Sequence, residues 1–309
     1  MNYYFAPMEG LTDRIYRRTH HEFFPGMTQY YMPFISPTMH HALTPREKRD
    51  LPLAGEDPFT AIPQVLTKSA EDFLWAARQC ADRGYSQINL NLGCPSGTVV
   101  SKGKGAGMLA DVSGLDRFLD AVFSDAPLPI SLKTRLGLTD PEEFPAILAV
   151  FNRYPCCELI IHPRVRKQFY DGSVHMDAFR DAVQQTDLPL CYNGDLRSAA
   201  DIDAFRQEFP QVGAIMLGRG LIADPGMLTP GITEPSTLRA FMDTLLERYI
   251  AAFGSARNAM FRMKENWAYM LPRFGNSERI AKRLRKTTDI TEYKAITAEI
   301  FETLSFPVA

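Results

Sequence analysis

The strongest chemical signal in the chain is the run Asn91-Leu92-Gly93-Cys94-Pro95-Ser96. It follows a short apolar stretch, Ile88 to Leu90, and opens into a segment rich in glycine and lysine that reaches Gly107. Glycine before the cysteine lets the backbone approach a neighbour closely, and proline after it stiffens the turn. Such a setting presents a thiol at the rim of a sheet, where a substrate can meet it. The alternative is that Cys94 packs as a small apolar side chain, as free cysteines commonly do.

Other reactive or binding groups are scattered along the sequence. Lys133 stands inside an apolar strand pattern, Ser131-Leu132-Lys133-Thr134-Arg135. An unpaired buried charge is costly. Lys133 therefore needs either an acid such as Glu9 or Asp195, or a ligand that carries or develops negative charge. His162 ends the run Leu159-Ile160-Ile161, a place where a lone histidine is often a satisfied structural residue. Gln64, Asn91 and Asn193 are neutral side chains that both donate and accept, which suits a heterocycle with alternating edges. Asn193-Gly194-Asp195 and Gly218-Arg219-Gly220 are glycine turns leading into helical segments. Amides at helix starts bind phosphate, and Arg219 would add charge-assisted bonds. Glycines at such turns also occur for steric reasons alone, but two in succession favour a phosphorylated ligand. His20-His21 and His40-His41 read as surface positions on helical segments.

What must position these groups is a repeated strand–helix unit. Strands are predicted at Tyr3–Ala6, Gln29–Phe34, Thr60–Val65, Gln87–Leu90, Ile130–Thr134, Leu159–His162, Leu190–Asn193 and Ala214–Leu217. Helical spacing separates them, for example over Ala70–Arg83, Leu115–Phe123, Pro141–Phe151 and Ala199–Phe209. Eight alternations point to a parallel (β/α)8 TIM barrel in the α/β class. An open doubly wound sheet is the alternative, but no Gly-x-Gly-x-x-Gly follows the first strand. In a barrel the C-terminal strand ends surround one mouth, where active sites sit. Apart from the two surface histidine pairs, the groups named above follow or end strands, so they would gather there.

Thr229 to Pro235 reads as a linker, with Ser236 placed to cap the next helix. A helical apolar stripe follows, from Leu238 to Phe253, and further helices fit Asn258–Leu271, Ser277–Lys286 and Thr291–Leu304. The expected organisation is a catalytic barrel over residues 1–232 and a small all-helical domain over 233–309.

The 309 residues suffice for both, and 45% apolar with 23% charged residues is ordinary for a globular protein. No stretch approaches a membrane span, and the start lacks a signal-peptide pattern. Five cysteines without zinc spacing suggest a reduced, cytoplasmic protein and no metal site. A net charge of −2 argues against indiscriminate nucleic-acid binding. Yet Arg257 to Lys286 holds nine basic residues against two acids, Glu265 and Glu278. Arg279, Lys282, Arg283 and Lys286 follow i, i+3, i+4, i+7 spacing on one helix face. A solvated face is the ordinary reading of such a stripe; phosphate contact is the functional one. Lys102 and Lys104, after Cys94, could also meet phosphates.

Taken together, Ala6-Pro7-Met8-Glu9-Gly10, Gln64, Asn91-x-Gly93-Cys94-Pro95, Lys133-x-Arg135, His162 and the two glycine turns resemble the tRNA-dihydrouridine synthases. The resemblance covers the whole barrel in order and extends to the helical domain. It implies FMN as cofactor, NADPH as reductant, and reduction of the C5–C6 bond of particular uridines in tRNA. It also implies that Pro7 and Met8 line the flavin, and that Gln64, Lys133 and His162 bind the ring or its ribityl chain. Asn193, Gly194, Gly218 and Arg219 would hold the phosphate, with Asp195 a further cofactor-binding residue. Asn91 would lie near flavin and uracil, and Cys94 would give the proton to C5. Two departures stand out: His162-Pro163-Arg164-Val165 replaces the family's His-Gly-Arg-Thr, and Asn89 stands where some members have Asp. A monomer is the expected state. Two other readings remain: an FMN barrel oxidoreductase acting on a free small molecule, and an RNA-binding barrel without chemistry.

Overall fold

Every strand pairing among the described residues is parallel. The computed structural model describes residues 1–229 and 233–305, so part of the expected linker (230–232) and the last residues of the helical domain (306–309) lie outside the described residues. The strands are β1 (Asn2–Phe5), β2 (Gln29–Tyr31), β3 (Ala61–Ile62), β4 (Gln64–Val65), β5 (Ile88–Leu92), β6 (Ile130–Arg135), β7 (Glu158–His162), β8 (Leu190–Tyr192) and β9 (Ala214–Leu217). They lie in the order β3-β2-β1-β9-β8-β7-β6-β5-β4.

The two ends of that list are one run of chain. Pro63 has no N–H to give, so the predicted third strand is split at that point. Ala61 and Ile62 pair with β2, while Gln64 and Val65 pair with β5. The Pro63 carbonyl is still used, accepting from the Asn89 amide at 2.8 Å. The ring thus closes through a single interrupted strand, giving the eight-position barrel that the alternation predicted.

Alternate residues point inward. Tyr4, Ala6, Tyr31, Ile62, Ile160, Cys191, Ala214 and Met216 form one buried cluster inside the barrel. Beneath it Glu158, at the start of β7, accepts hydrogen bonds from Tyr4 Oη (2.8 Å) and Tyr31 Oη (3.1 Å). Burial raises the Glu158 carboxyl, and the two phenol donors partly offset that. Two of the outer helices start on side-chain caps: Ser69 for Ala70–Ala81 and Asp111 for Val112–Asp125.

By its internal contacts the chain divides into two units. The first comprises Met1–Pro7, Thr28–Asp195 and Ala204–Leu217, and carries all nine strands. The second takes in Met8–Met27, Leu196–Asp203 and the chain from Gly218 on. Its C-terminal helices are Pro235–Phe253, Ala256–Met270, Glu278–Lys286 and Ile290–Thr303. The first of these begins at Pro235 with Glu234 at its cap, so Ser236 lies inside the helix and does not cap it. Proline's fixed φ and missing donor suit the first helical position.

Within the second unit Tyr16, Phe23 and Phe24 set ring edges against Phe241, with centroids 5.3–5.8 Å apart. His20 belongs to this core and is not a surface residue. Its Nε2 lies 3.0 Å from the Pro225 carbonyl, and burial pushes its pKa down to about 3. His40 and His41 lie in a turn and not on a helix, and His41 stacks on Trp75 and bonds Asp72. Among the described residues no helix is long and apolar enough to cross a membrane.

Asp13 does two jobs in the second unit. Its Oδ1 caps helix Arg14–Phe23 through Tyr16 N (3.0 Å) and accepts from Tyr249 Oη (3.0 Å). Asp13→Ala removes both and should cost about 2–3 kcal/mol, against about 1 kcal/mol for Tyr249→Phe. Urea unfolding of the two variants checks that ranking.

Candidate functional site

Cys94 follows β5, and its thiol is partly exposed rather than sealed in the core. The backbone around it is held at every polar atom. Asn91 Oδ1 accepts from the amides of Gly93 (3.0 Å) and Cys94 (2.9 Å). The Gly93 carbonyl accepts from Arg135 Nε at 2.9 Å, and that of Pro95 from Arg166 Nε at 3.1 Å. The Cys94 carbonyl takes the amide of Ala106 at 3.1 Å. That last bond folds the lysine-bearing loop back against the cysteine. Gly105, at φ +58°, leaves room for it: a Cβ there would stand 3.0 Å from Cys94 Cβ.

Asn91 is itself oriented by a chain of buried amides. Its Nδ2 donates to Gln64 Oε1 (2.8 Å), and Gln64 Nε2 donates to Asn89 Oδ1 (2.7 Å). Asn89 Nδ2 then donates to Ser131 Oγ (2.9 Å). Register explains the geometry: Gln64 pairs with Asn89, Asn89 with Ser131, and Asn91 with Lys133. Gln64 has no exposed surface, so in this structure its amide serves its neighbours. Asn89 and Ser131 escaped the sequence reading as site residues. The signal for them was the alternation Asn89-x-Asn91 in a strand otherwise apolar.

Lys133, beside Asn91, makes no ion pair or hydrogen bond among the described residues. The ion pair to Glu9 or Asp195 is therefore not what holds it. Burial, and then the nearby Arg135 guanidinium, lower its ammonium to about 8. Arg135 is itself buried, which lowers it to about 10; it also bonds the Val165 carbonyl (3.2 Å) and lies 5.3 Å from the Tyr170 ring centroid.

His162 ends β7 and is buried, with Nε2 3.1 Å from Arg164 Nη1. Arg164 is engaged by both oxygens of Asp195 and donates to the Gly172 carbonyl at 2.6 Å, but its Nε is buried without a partner. Asp195 is thus committed to Arg164. Asn193 Nδ2 donates to the Met216 carbonyl at 2.8 Å. Gly194 can carry no side chain, since a Cβ would lie 1.9 Å from Tyr192 Oη. Arg135, Arg164, Arg166 and Tyr170 complete the surroundings of Cys94 and His162. Arg135 was legible in the Lys133-x-Arg135 spacing; Tyr170 lay in a loop with no pattern to mark it.

The remaining predicted positions are placed separately. Pro7 follows β1 and is part-exposed, while in the second unit Met8 N bonds Thr12 Oγ1 at 2.9 Å. Gly218 precedes the short helix Arg219–Ala223. Lys102 is exposed and Lys104 half-buried. Arg279, Lys282, Arg283 and Lys286 are exposed on helix Glu278–Lys286, with Ile280 and Leu284 buried beneath. Arg283 is paired with Glu299 through two 2.7 Å bonds; the other three have no ion pair among the described residues.

The profile of the dihydrouridine synthase (Dus) family matches residues 4–300. The chain belongs to the dihydrouridine synthase family. A probable tRNA-dihydrouridine synthase of Rhodobacter capsulatus is 30% identical over 226 residues, covering 72% of this chain and 68% of that protein. The tRNA-dihydrouridine(16) synthase of Cupriavidus necator is 28% identical over 229 residues, covering 72% and 70%. Among solved structures, morphinone reductase in complex with tetrahydroNAD superposes with a TM-score of 0.53 at 12% identity, over 76% of this chain and 89% of that one. That likeness is one of fold alone. As a dihydrouridine synthase the chain is an enzyme.

Two outcomes follow for this synthase. Asn89→Leu strands Gln64 Nε2 and breaks the amide chain in a dry interior, so it should cost about 2–4 kcal/mol in urea unfolding. Lys133 gives a pH signature. Between its folded value of about 8 and its ordinary 10.5, the unfolded chain holds a proton the folded one has released. Stability of the ligand-free protein should therefore rise with pH across that window, and Lys133→Met should abolish the rise. Urea midpoints of both proteins from pH 7.5 to 10, values chosen around that window, read it out; parallel curves would mean that Lys133 has a partner.

Proposed function

We propose that this enzyme reduces particular uridines of tRNA to 5,6-dihydrouridine, with FMN as resident cofactor and NADPH as reductant. The observation that carries the reading is Cys94, partly exposed, on a loop whose backbone is fixed at each polar atom. A thiol that only packed would not call for such support.

The residues present suit a flavin. Lys133 is a cation without a partner, as a group that develops negative charge at its N1–C2=O edge requires. The buried Nε of Arg164 is a second donor with nothing to receive it. Lys133 and His162 are the proposed contacts to the ring and ribityl chain, with Asn193 and Gly194 toward the phosphate. Gln64 acts through Asn91, whose amide it orients. Bound and reduced, the flavin supplies a hydride to uracil C6. Cys94 would deliver the balancing proton to C5, its partly exposed sulfhydryl being the proton donor this loop presents. Lys133 keeps a positive charge beside the electron-rich partner. Asn91 and Arg135 keep the sulfur from drifting, because they hold the amides and carbonyl on either side of it.

The target base has to leave its stack to reach a barrel mouth. Arg279, Lys282 and Lys286 are the proposed contacts to the tRNA backbone, joined by Lys102 and Lys104 for phosphates flanking the base. The barrel part would carry the chemistry and the helices from 233 on would hold the tRNA. Free cysteines throughout suit a reducing cytoplasm.

Cys94→Ala should retain yellow flavin absorbance and NADPH oxidation while dihydrouridine formation falls at least about 100-fold. Cys94→Ser should be nearly as poor. Nucleoside analysis of tRNA from a deletion strain, complemented with each variant, reads the result and maps the position served. Wild-type dihydrouridine from Cys94→Ala would remove the proton-donor assignment, and unchanged tRNA in the deletion strain would remove the substrate.

A further inference from the structure

We propose that Phe261 is a stacking platform for an unpaired base of bound tRNA, flanked by Arg257 and Lys264; this rests on the reading that tRNA is the substrate. Helix Ala256–Met270 buries Ala259, Met260, Met263, Trp267 and Met270, a stripe at spacings of three and four. Arg257, Phe261 and Lys264 lie at i, i+4 and i+7 on another stripe. Phe261 is 41% exposed there, an aromatic ring where the pattern calls for a polar residue.

A single exposed apolar side chain is ordinary. Phe261 differs in its company. Arg257 Cζ lies 5.7 Å and Lys264 Nζ 5.0 Å from its ring centroid. Arg257 has no ion pair among the described residues. Lys264 Nζ donates to the carbonyls of Arg285 (3.2 Å) and Thr287, which ties the ring to the C-terminal end of helix Glu278–Lys286. Arg285 and Lys286, exposed at that end, also lack ion pairs among the described residues. The surface thus offers a π face, a cation beside it, and further unpaired cations next door.

That combination matches a single-stranded nucleotide. A base stacks on an aromatic face whatever its identity, and adjacent cations take the phosphates. An acidic peptide would use the charges and leave the ring idle. A lipid surface would need a broader apolar patch.

The test is binding of unmodified tRNA transcripts across a salt series. Phe261→Ala should raise Kd about tenfold with an unchanged salt slope. Phe261→Leu, which keeps apolar bulk without a π face, should be as weak. Phe261→Trp should bind at least as tightly as wild type, and tRNA should quench its added indole emission. Arg257→Ala should lower the salt slope by about one. Wild-type affinity in Phe261→Ala, or in Phe261→Leu, would overturn the platform while leaving the substrate reading intact. Failure of the wild-type enzyme to bind tRNA at all would remove both.

Discussion

Asn91 Oδ1 is the atom on which the site turns. It faces two backbone amides, Gly93 and Cys94, and backbone N–H groups cannot reverse their polarity. The orientation of Asn91 is therefore forced: its oxygen toward the loop, its Nδ2 inward. That NH2 needs an acceptor, so Gln64 must present Oε1 and aim its own NH2 at Asn89. Asn89 must then offer oxygen to Gln64 and nitrogen to Ser131. One polarity at the rim thus propagates through three side-chain amides to a hydroxyl deep in the barrel. An interior of low dielectric strengthens such a chain when it is complete and penalises it when broken. The cysteine loop inherits rigidity from the strand register: the Gln64–Asn89 and Asn89–Ser131 links join residues already paired, and the Asn91–Gln64 link is a diagonal contact two residues further along β5.

Charge is arranged along the same axis. At the lower end Glu158 is the acid, moderated by Tyr4 and Tyr31. Toward the C-terminal strand ends stand Lys133, Arg135 and Arg164, the last paired with Asp195. Burial, and then the neighbouring Arg135 guanidinium, lower the affinity of Lys133 for its proton. A ligand that brings negative charge would restore it.

The architecture was legible because strand and helix alternate with distinct periods, and the structure places strands at all eight predicted runs. Cys94, Asn91, Lys133 and His162 were legible because each stands out against an apolar strand or a glycine-rich turn. What sequence could not supply was partnership. Asp195 looked like a ligand group and is occupied by Arg164, a pairing across 31 residues that no local pattern encodes. His20 read as a surface residue because its neighbours on helix Arg14–Phe23 are polar; the Pro225 carbonyl that satisfies it is more than 200 positions away. The split at Pro63 is the reverse case. Proline in a strand signals a lost donor, and the chain uses the gap to hand the ladder from one neighbour to the other.

Pro163 shows how a departure from a family pattern can be absorbed. After β7 the Arg164 amide bonds the His162 carbonyl at 2.7 Å, a three-residue turn centred on the proline. Such a turn asks for the φ that proline already has and makes no use of its missing N–H. The Pro163 carbonyl is not wasted, since His175 N donates to it at 2.7 Å. Two residues that follow the turn then work in different places. Arg164 reaches Asp195, and Arg166 reaches the Pro95 carbonyl next to Cys94. A flexible glycine at 163 would leave that loop more freedom to lose on folding. Proline fixes one dihedral of the turn in advance, so the segment whose Arg166 holds the Pro95 carbonyl has less freedom to lose.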